Sequence, residues 1–354
     1  RAERARLLRR APARTDAVFA HLPARPGEAP PFAWDRLARA FAKEDGSAPL
    51  WIHALTQSHF DDARARWAAE DGAPPCAWVS PGALGSGDAP PVLAMPGVPL
   101  APFAWRRRGA GRARAYSLVG VIDAFTQATV LDDLAQVSAA PVEPWDAVVC
   151  SSRAVEAAVR RQLEEYGEWL VARVGAGTGV RHAPTLRAIP TGVACDRFAE
   201  TAETREIRGR VRRGLGIDGN DVAVLLYGRF GYRDRFHPLA LYRAAAEAAR
   251  RSGKRLFLIH AGRFSAPAVE RDFRDAARAF APNARCIFLD GDDPAVRGNV
   301  WFAADVFVQP TDNVRDSSDA AILSAMAAGL PVVAADFGAA RDRIGHGVEG
   351  ILVP

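Results

Sequence analysis

Lysine is nearly missing from this chain. Only Lys43 and Lys254 occur, so 44 of its 46 basic residues are arginine (46 − 2 = 44). With alanine abundant beside it, this bias reads as coding preference, and the formal net charge of +5 does not define a nucleic-acid surface. The arginines are spread among acids and not gathered into a stripe with interleaved aromatics, so no nucleic-acid partner is expected. A weak, peripheral attraction to anionic membrane surfaces stays open. Cysteine is scarce as well. Cys76, Cys150, Cys195 and Cys286 lie far apart without redox or metal spacing, which points to reduced thiols and a cytoplasmic protein. No apolar run approaches the length of a membrane span, and the basic stretch 1–14 lacks the apolar segment of a secretory leader. The first residue is not Met, which leaves a fragment open. His53, His59, His182, His260 and His346 form no ligand spacing, and no Ser-His-Asp or Cys-His arrangement is arguable. Repeats and low-complexity tracts are absent too.

What is present is an ordinary globular composition, 49% hydrophobic and 25% charged, over 354 residues, long enough for two domains. Strands and helices alternate clearly in the second half. The unbroken apolar run 221–227 (DVAVLLY) predicts a buried parallel strand ending at Gly228-Arg229. A helix over 239–251 closes at Gly253, and strands follow at 255–261, ending at Gly262, and at 286–289, followed by Asp290-Gly291-Asp292-Asp293. A helix over 295–303 then leads to a strand at 305–309. The expected fold class is α/β with a doubly wound sheet.

The first half gives fewer signals. Strands are read at 50–54 and 146–150, the latter followed by Ser151-Ser152 as an N-cap and a helix over 153–166. Residues 72–112, rich in Pro and Gly, read as loop-dominated, and 116–125 as a strand and turn. No Gly-rich first turn is visible, so the first strand of this half is expected upstream of residue 1.

The stretch 312–354 carries the most information. An acidic, Ser-rich turn runs into a short helix that stops at Gly329, continues as the strand 331–335, and leads through a Gly-rich turn to another helix. This is a βαβ unit, whose helix start lies at the carboxyl edge of a parallel sheet. Unpaired backbone N–H groups and partial positive charge suit such a helix start to a phosphate.

The run SAMAAGLPVVAADFGAARDRIGHGVEGILVP resembles the donor-site segment of glycosyltransferase family 4, and 187–198 (RAIPTGVACDRF) is similar to the linker into that family's second domain. The resemblance spans about 116–354. It implies a GT-B architecture of two Rossmann-like domains facing across a cleft, here 1–187 and 188–354. The second would hold the nucleotide sugar, and transfer would retain configuration without a metal or other cofactor.

Residue by residue, the resemblance implies the following. Gly228 and Arg229 stand where the family has Gly-Arg, with Arg235 as the second cation on the diphosphate. His237, before Pro238, matches one bacterial branch. Asp316 takes the place of the first catalytic acid, which contacts donor hydroxyls. Ser318-Asp319-Ala320 replaces a Phe-Gly-Leu turn, and Ser324 replaces the acid that would hold the ribose. The helix beginning at Ser317-Ser318 would add backbone N–H groups. Asp123 stands where the first domain offers a His near the reacting centre. Gly291 lies where the nucleotide base is met through backbone groups, which makes a metal at Asp290 and Asp292 unexpected. For Arg229 and Arg235 the competing reading is a solvated loop; for Asp316, Ser317 and Asp319 it is helix capping; for Asp123 it is a turn. The segment 105–114 (WRRRGAGRAR) reads as a solvated loop, with capture of an acidic acceptor as the alternative.

The expectation is therefore a hexosyltransferase acting from a nucleotide diphosphate sugar on a saccharide, lipid or small-molecule acceptor. The alternative is a catalytically weakened or inactive GT-B protein that binds a nucleotide or a partner, motivated by Asp316, Asp319 and Ser324. A GT-B-fold sugar epimerase is the third and least favoured reading.

Overall fold

The computed structural model describes residues 17–20, 49–68, 75–85, 90–122, 129–175, 184–232, 236–313 and 320–354. The chain divides into two compact units, the main body of the first ending at Ile189 and the second running from Pro190 to Pro354. Each is built on one parallel sheet.

The first unit holds β1 (Val18–Ala20), β2 (Leu50–His53), β3 (Cys76–Val79), β4 (Val92–Pro96), β5 (Ser117–Ile122), β6 (Ala147–Cys150) and β7 (Thr185–Ala188), in the order β3-β2-β1-β4-β5-β6-β7. Every neighbouring pair is parallel. The described helices are α1 (Gln57–Ala68), α2 (Leu100–Gly109), α3 (Thr129–Ala139) and α4 (Arg153–Val174). The structure adds to the sequence reading at two places. A strand lies at the sheet centre where the sequence shows none: β1, fully buried, sits between β2 and β4. Three residues, VFA, are too few to show a period, so the sequence hides it. Within 72–112, read from its Pro and Gly as loop, fall β3, β4 and α2. These strands are four and five residues long, and Pro75, Pro91 and Pro96 bound or end them. As expected, Ser152 caps α4, its hydroxyl accepting the Val155 N–H at 3.2 Å, and the helix runs on to Val174.

The second unit holds β8 (Val222–Phe230), β9 (Leu256–Phe264), β10 (Ala284–Asp290), β11 (Val306–Gln309), β12 (Val332–Ala335) and β13 (Gly350–Val353), in the order β10-β9-β8-β11-β12-β13. Its helices are α5 (Ala202–Leu215), α6 (Leu239–Ser252), α7 (Pro267–Phe280), α8 (Pro294–Ala303), α9 (Ala320–Ala327) and α10 (Ala340–Arg343). Adjacent strand residues serve opposite cores. Leu225, Phe257 and Ile259 pack with Trp301, Phe307 and Ile322, while Leu226, Leu258 and Phe230 pack with Tyr242 and Phe273. A sheet covered on both faces explains the unbroken apolar runs. Gly253 closes α6 at φ 65°, as its position predicts.

At the amino edge of each sheet an Asp precedes a strand and gathers donors. Asp146, before β6, accepts the Leu118 N–H of β5 and the buried Arg107 guanidinium of α2. Asp305, before β11, accepts the Ala223 N–H of β8 together with Arg208 and Arg212 of α5. The solvated-loop reading of 105–114 is thereby corrected in its first half, where Trp105 to Gly109 end α2 and Arg107 is only 1% exposed, while 110–114 form a largely exposed turn.

Candidate functional site

In the second unit the chain leaves β8 toward β9 and β10, then returns to β11 on the other side, so the order reverses between β8 and β11. Ligands of such sheets bind outside the carboxyl ends of the strands at this point. β8 runs to Phe230 rather than stopping at Tyr227, so Gly228 and Arg229 belong to the strand itself. Their partners on β9 are Gly262 and Arg263. The backbones come so close that a Cβ on Gly262 would lie 1.7 Å from the Gly228 carbonyl oxygen. One on Gly291 would lie 2.6 Å from Gly262 Cα. The Gly291 N–H donates to the Gly262 carbonyl at 3.0 Å. Three strand ends thus meet at three glycines.

Around this junction the side chains divide into committed and free. Arg229 is exposed and forms no ion pair among the described residues. Arg263, beside it, pairs with Asp292. The Asp292 N–H donates to Asp290 at 2.9 Å, and Asp293 caps α8 through the Ala295 N–H at 2.8 Å. Among the described residues, no group of three or more His, Cys, Asp and Glu could hold a metal ion. His237 lies on the connection from β8 to α6. Its Nδ1 accepts the Leu239 N–H at 3.3 Å, and its ring stacks on Tyr232 with centroids 5.3 Å apart.

Beyond the reversal, β11 ends at Gln309, 7% exposed, whose Oε1 has no hydrogen-bond partner among the described residues. Gln309 was not singled out from the sequence, although one polar residue closing the apolar strand VFVQ was the available signal. The next helix, α9, begins at Ala320. Ser324 sits inside it, 8% exposed, with its hydroxyl donating to the Ala320 carbonyl at 2.8 Å. That proton is donated to the helix's own backbone. Asp123, Arg235, Asp316, Ser317, Ser318 and Asp319 lie outside the described residues. Of the expected site, the structure brings Gly228, Arg229 and Gly291 to one sheet edge, with His237 and Ala320 on the connections that follow β8 and β11.

Among the described residues two histidines are buried. His260, on β9, meets the Tyr242 hydroxyl at 3.1 Å and stacks on Phe288 at 4.5 Å, and burial lowers its pKa to about 4. His53, at the carboxyl end of β2, bonds the Val79 carbonyl through Nδ1 at 2.8 Å, and burial lowers its pKa as well. Burial also pushes the Cys150 thiol up to about 12 and Cys286 to about 11, so neither is a nucleophile at neutral pH.

Two Rossmann-like units on parallel sheets place the chain in the GT-B fold class. HepE of Anabaena in complex with UDP aligns over 96% of this chain and 85% of its own, with a TM-score of 0.61 and 15% identity. Its complex with UDP-glucose aligns over 95% and 85%, with a TM-score of 0.56 and 16% identity. At that identity the likeness is one of fold. The family described as Glycosyl transferases group 1 matches residues 221–354. The D-inositol 3-phosphate glycosyltransferase of Rhodococcus erythropolis is 31% identical over 149 residues, 41% of this chain and 33% of the relative. That of Saccharomonospora viridis is 31% identical over 174 residues, 48% of this chain and 38% of the relative. The chain thus spans about a third of the length of the curated relatives it matches.

Proposed function

We propose that this protein is a glycosyltransferase that moves a hexosyl unit from a nucleotide diphosphate sugar to an acceptor, with retention and without a metal. The observation that carries the reading is Arg229, an exposed cation without an ion-pair partner among the described residues, at the carboxyl end of β8 where the strand order reverses. It lies in the segment that matches group 1 glycosyl transferases. Departure of a diphosphate concentrates negative charge, and fixed cations and helix N–H groups stabilise it without the reorganisation that water requires. In this reading Arg229 and Arg235 hold the diphosphate, Asp316 orients the donor sugar, and Ser317, Ser318, Asp319 and Ala320 offer backbone N–H groups to the phosphates. Gly291 offers its backbone to the base, His237 flanks the phosphates, and Asp123 faces the acceptor.

The protein is proposed to work in the cytoplasm; no helix among the described residues is long and apolar enough to cross a membrane. Because the curated relatives are named for D-inositol 3-phosphate, that compound heads the acceptor panel, ahead of saccharides and lipids. The test is release of nucleoside diphosphate from a set of nucleotide sugars in the presence of EDTA. Turnover with one donor and one acceptor supports the reading; hydrolysis and transfer both at background with every pair would sink it.

One observation favours a weakened enzyme. Ser324 offers no acid, and its hydroxyl proton is held by Ala320. In that case nucleotide binds and turnover stays at background.

A further inference from the structure

The amino edge of the first unit's sheet carries a cluster that the donor site does not use. α2 ends there, because Arg107 near its C-terminus donates to the Tyr116 carbonyl ahead of β5 and to Asp146 ahead of β6. Its neighbours Trp105, Arg106 and Arg108 are exposed, Trp105 by 56%. The turn that follows adds exposed Arg112 and Arg114, the latter 6.0 Å over the ring of Trp145, itself 40% exposed. None of these four arginines is in an ion pair among the described residues. Arg106 lies over the Phe103 ring, and Arg112 donates to the Gly82 and Leu84 carbonyls. The segments 100–116 and 143–146 hold two acids, Asp146, buried under Arg107, and half-buried Glu143.

On other helices several arginines are neutralised: Arg160, Arg161, Arg250, Arg251, Arg274 and Arg278 each meet a carboxylate within a turn or so of their own helix, whereas exposed Arg210, Arg213 and Arg271 have no ion pair among the described residues. Complementing the helix dipole accounts for Arg106 and Arg108 at the end of α2. It does not account for Arg112, Arg114 or two exposed indoles. Exposed tryptophan beside arginine is the pairing that suits a lipid interface. The ring sits at headgroup depth, half apolar and half wet, while guanidinium groups reach phosphates. The cations are confined to one sheet edge and form no track for a polynucleotide backbone.

We propose that this edge docks on the surface of an anionic lipid bilayer, through Trp105 and Trp145 at headgroup depth and Arg106, Arg108, Arg112 and Arg114 on lipid phosphates. The inference stands independently of the nucleotide-sugar reading.

The test is co-sedimentation of the full chain with vesicles of phosphatidylcholine alone and of equimolar phosphatidylcholine and phosphatidylglycerol. Binding to the anionic vesicles only, weakened by salt, is expected. Each arginine near such a surface contributes roughly five-fold, so Arg106→Gln, Arg108→Gln and Arg114→Gln together lower the partition constant about 100-fold. The same charge removed elsewhere, by Arg210→Gln, Arg213→Gln and Arg271→Gln, lowers it less than about five-fold. Vesicles shift the tryptophan emission to the blue, and Trp105→Phe with Trp145→Phe removes that shift. Equal loss in both triple variants, no binding by the wild type, or preference for a single-stranded oligonucleotide over the anionic vesicles would each overturn the proposal.

Discussion

Arg107 grips both carboxylate oxygens of Asp146, at 2.7 and 2.6 Å, with its side chain 1% exposed and that of Asp146 fully buried. Asp146 accepts two backbone N–H groups besides, from Leu118 and Glu143, both at 2.8 Å. One carboxylate thus fixes the end of α2, the start of β5 and the turn into β6. Arg107→Ala leaves that charge buried without its partner, and breaking a buried pair from one side costs about 3–5 kcal/mol. Urea unfolding checks this, and a loss under about 1 kcal/mol would show that the pair is dispensable.

His260 makes stability depend on pH. Its folded pKa, about 4, lies below the ordinary histidine value of 6.5, because burial among Tyr242, Phe230 and Phe288 disfavours the charged ring. The unfolded chain therefore binds the proton first. The contribution is complete above pH 6.5, falls as pH drops below that, and is gone near pH 4. Its size is about 3 kcal/mol, at 1.36 kcal/mol per unit. Urea midpoints across this range should fall for the wild type and change less for His260→Phe. Parallel slopes would refute the assignment.

The meeting of Gly228, Gly262 and Gly291 leaves no room for a methyl group. In Gly262→Ala the new Cβ would meet the Gly228 carbonyl, so the backbone must move and stability drops by at least about 1–3 kcal/mol. Gly219→Ala, with nothing within 4 Å of its Cβ, serves as the control and should change stability by less than about 1 kcal/mol. Thermal melts of the two variants separate these outcomes.

Ser324 is committed to Ala320, so its removal should leave nucleotide binding unchanged. Ser324→Ala is expected to alter affinity less than about three-fold, under the roughly 1 kcal/mol of one neutral hydrogen bond. A ten-fold loss by calorimetry would mean that the hydroxyl turns to the ligand.

The second unit was legible because its strands are continuous apolar runs with glycines at their ends; β8, β9 and β12 were all readable. What the sequence understated was their reach. Gly228-Arg229 and Gly262-Arg263 look like the start of loops but pair as strands, since glycine at a close backbone approach is part of the ladder. The first unit was less legible for a different reason. β1 has three residues, and its place at the sheet centre depends on β2 and β4, far along the chain. Arg107 was hidden among neighbouring arginines, because nothing in Arg106-Arg107-Arg108 says which one turns inward. Only the pairing with Asp146, across a sequence separation of 39, singles it out. Of the site, the strand-borne residues could be placed, and Gln309 could have been noticed as the polar end of an apolar strand.

The most direct test of the central claim is the melting temperature of the wild type and of Arg229→Ala against UDP, ADP, GDP and TDP, each with magnesium and with EDTA. Arg229 makes no ion pair among the described residues, so the variant should melt like the wild type when no nucleotide is added. At about 100 times the dissociation constant a nucleotide stabilises by roughly 2.7 kcal/mol, a shift of several degrees. The account predicts that shift for one base, in EDTA as in magnesium, and a loss of about 10- to 150-fold in affinity with Arg229→Ala. A flat panel for the wild type, or a full shift retained by Arg229→Ala, would contradict it.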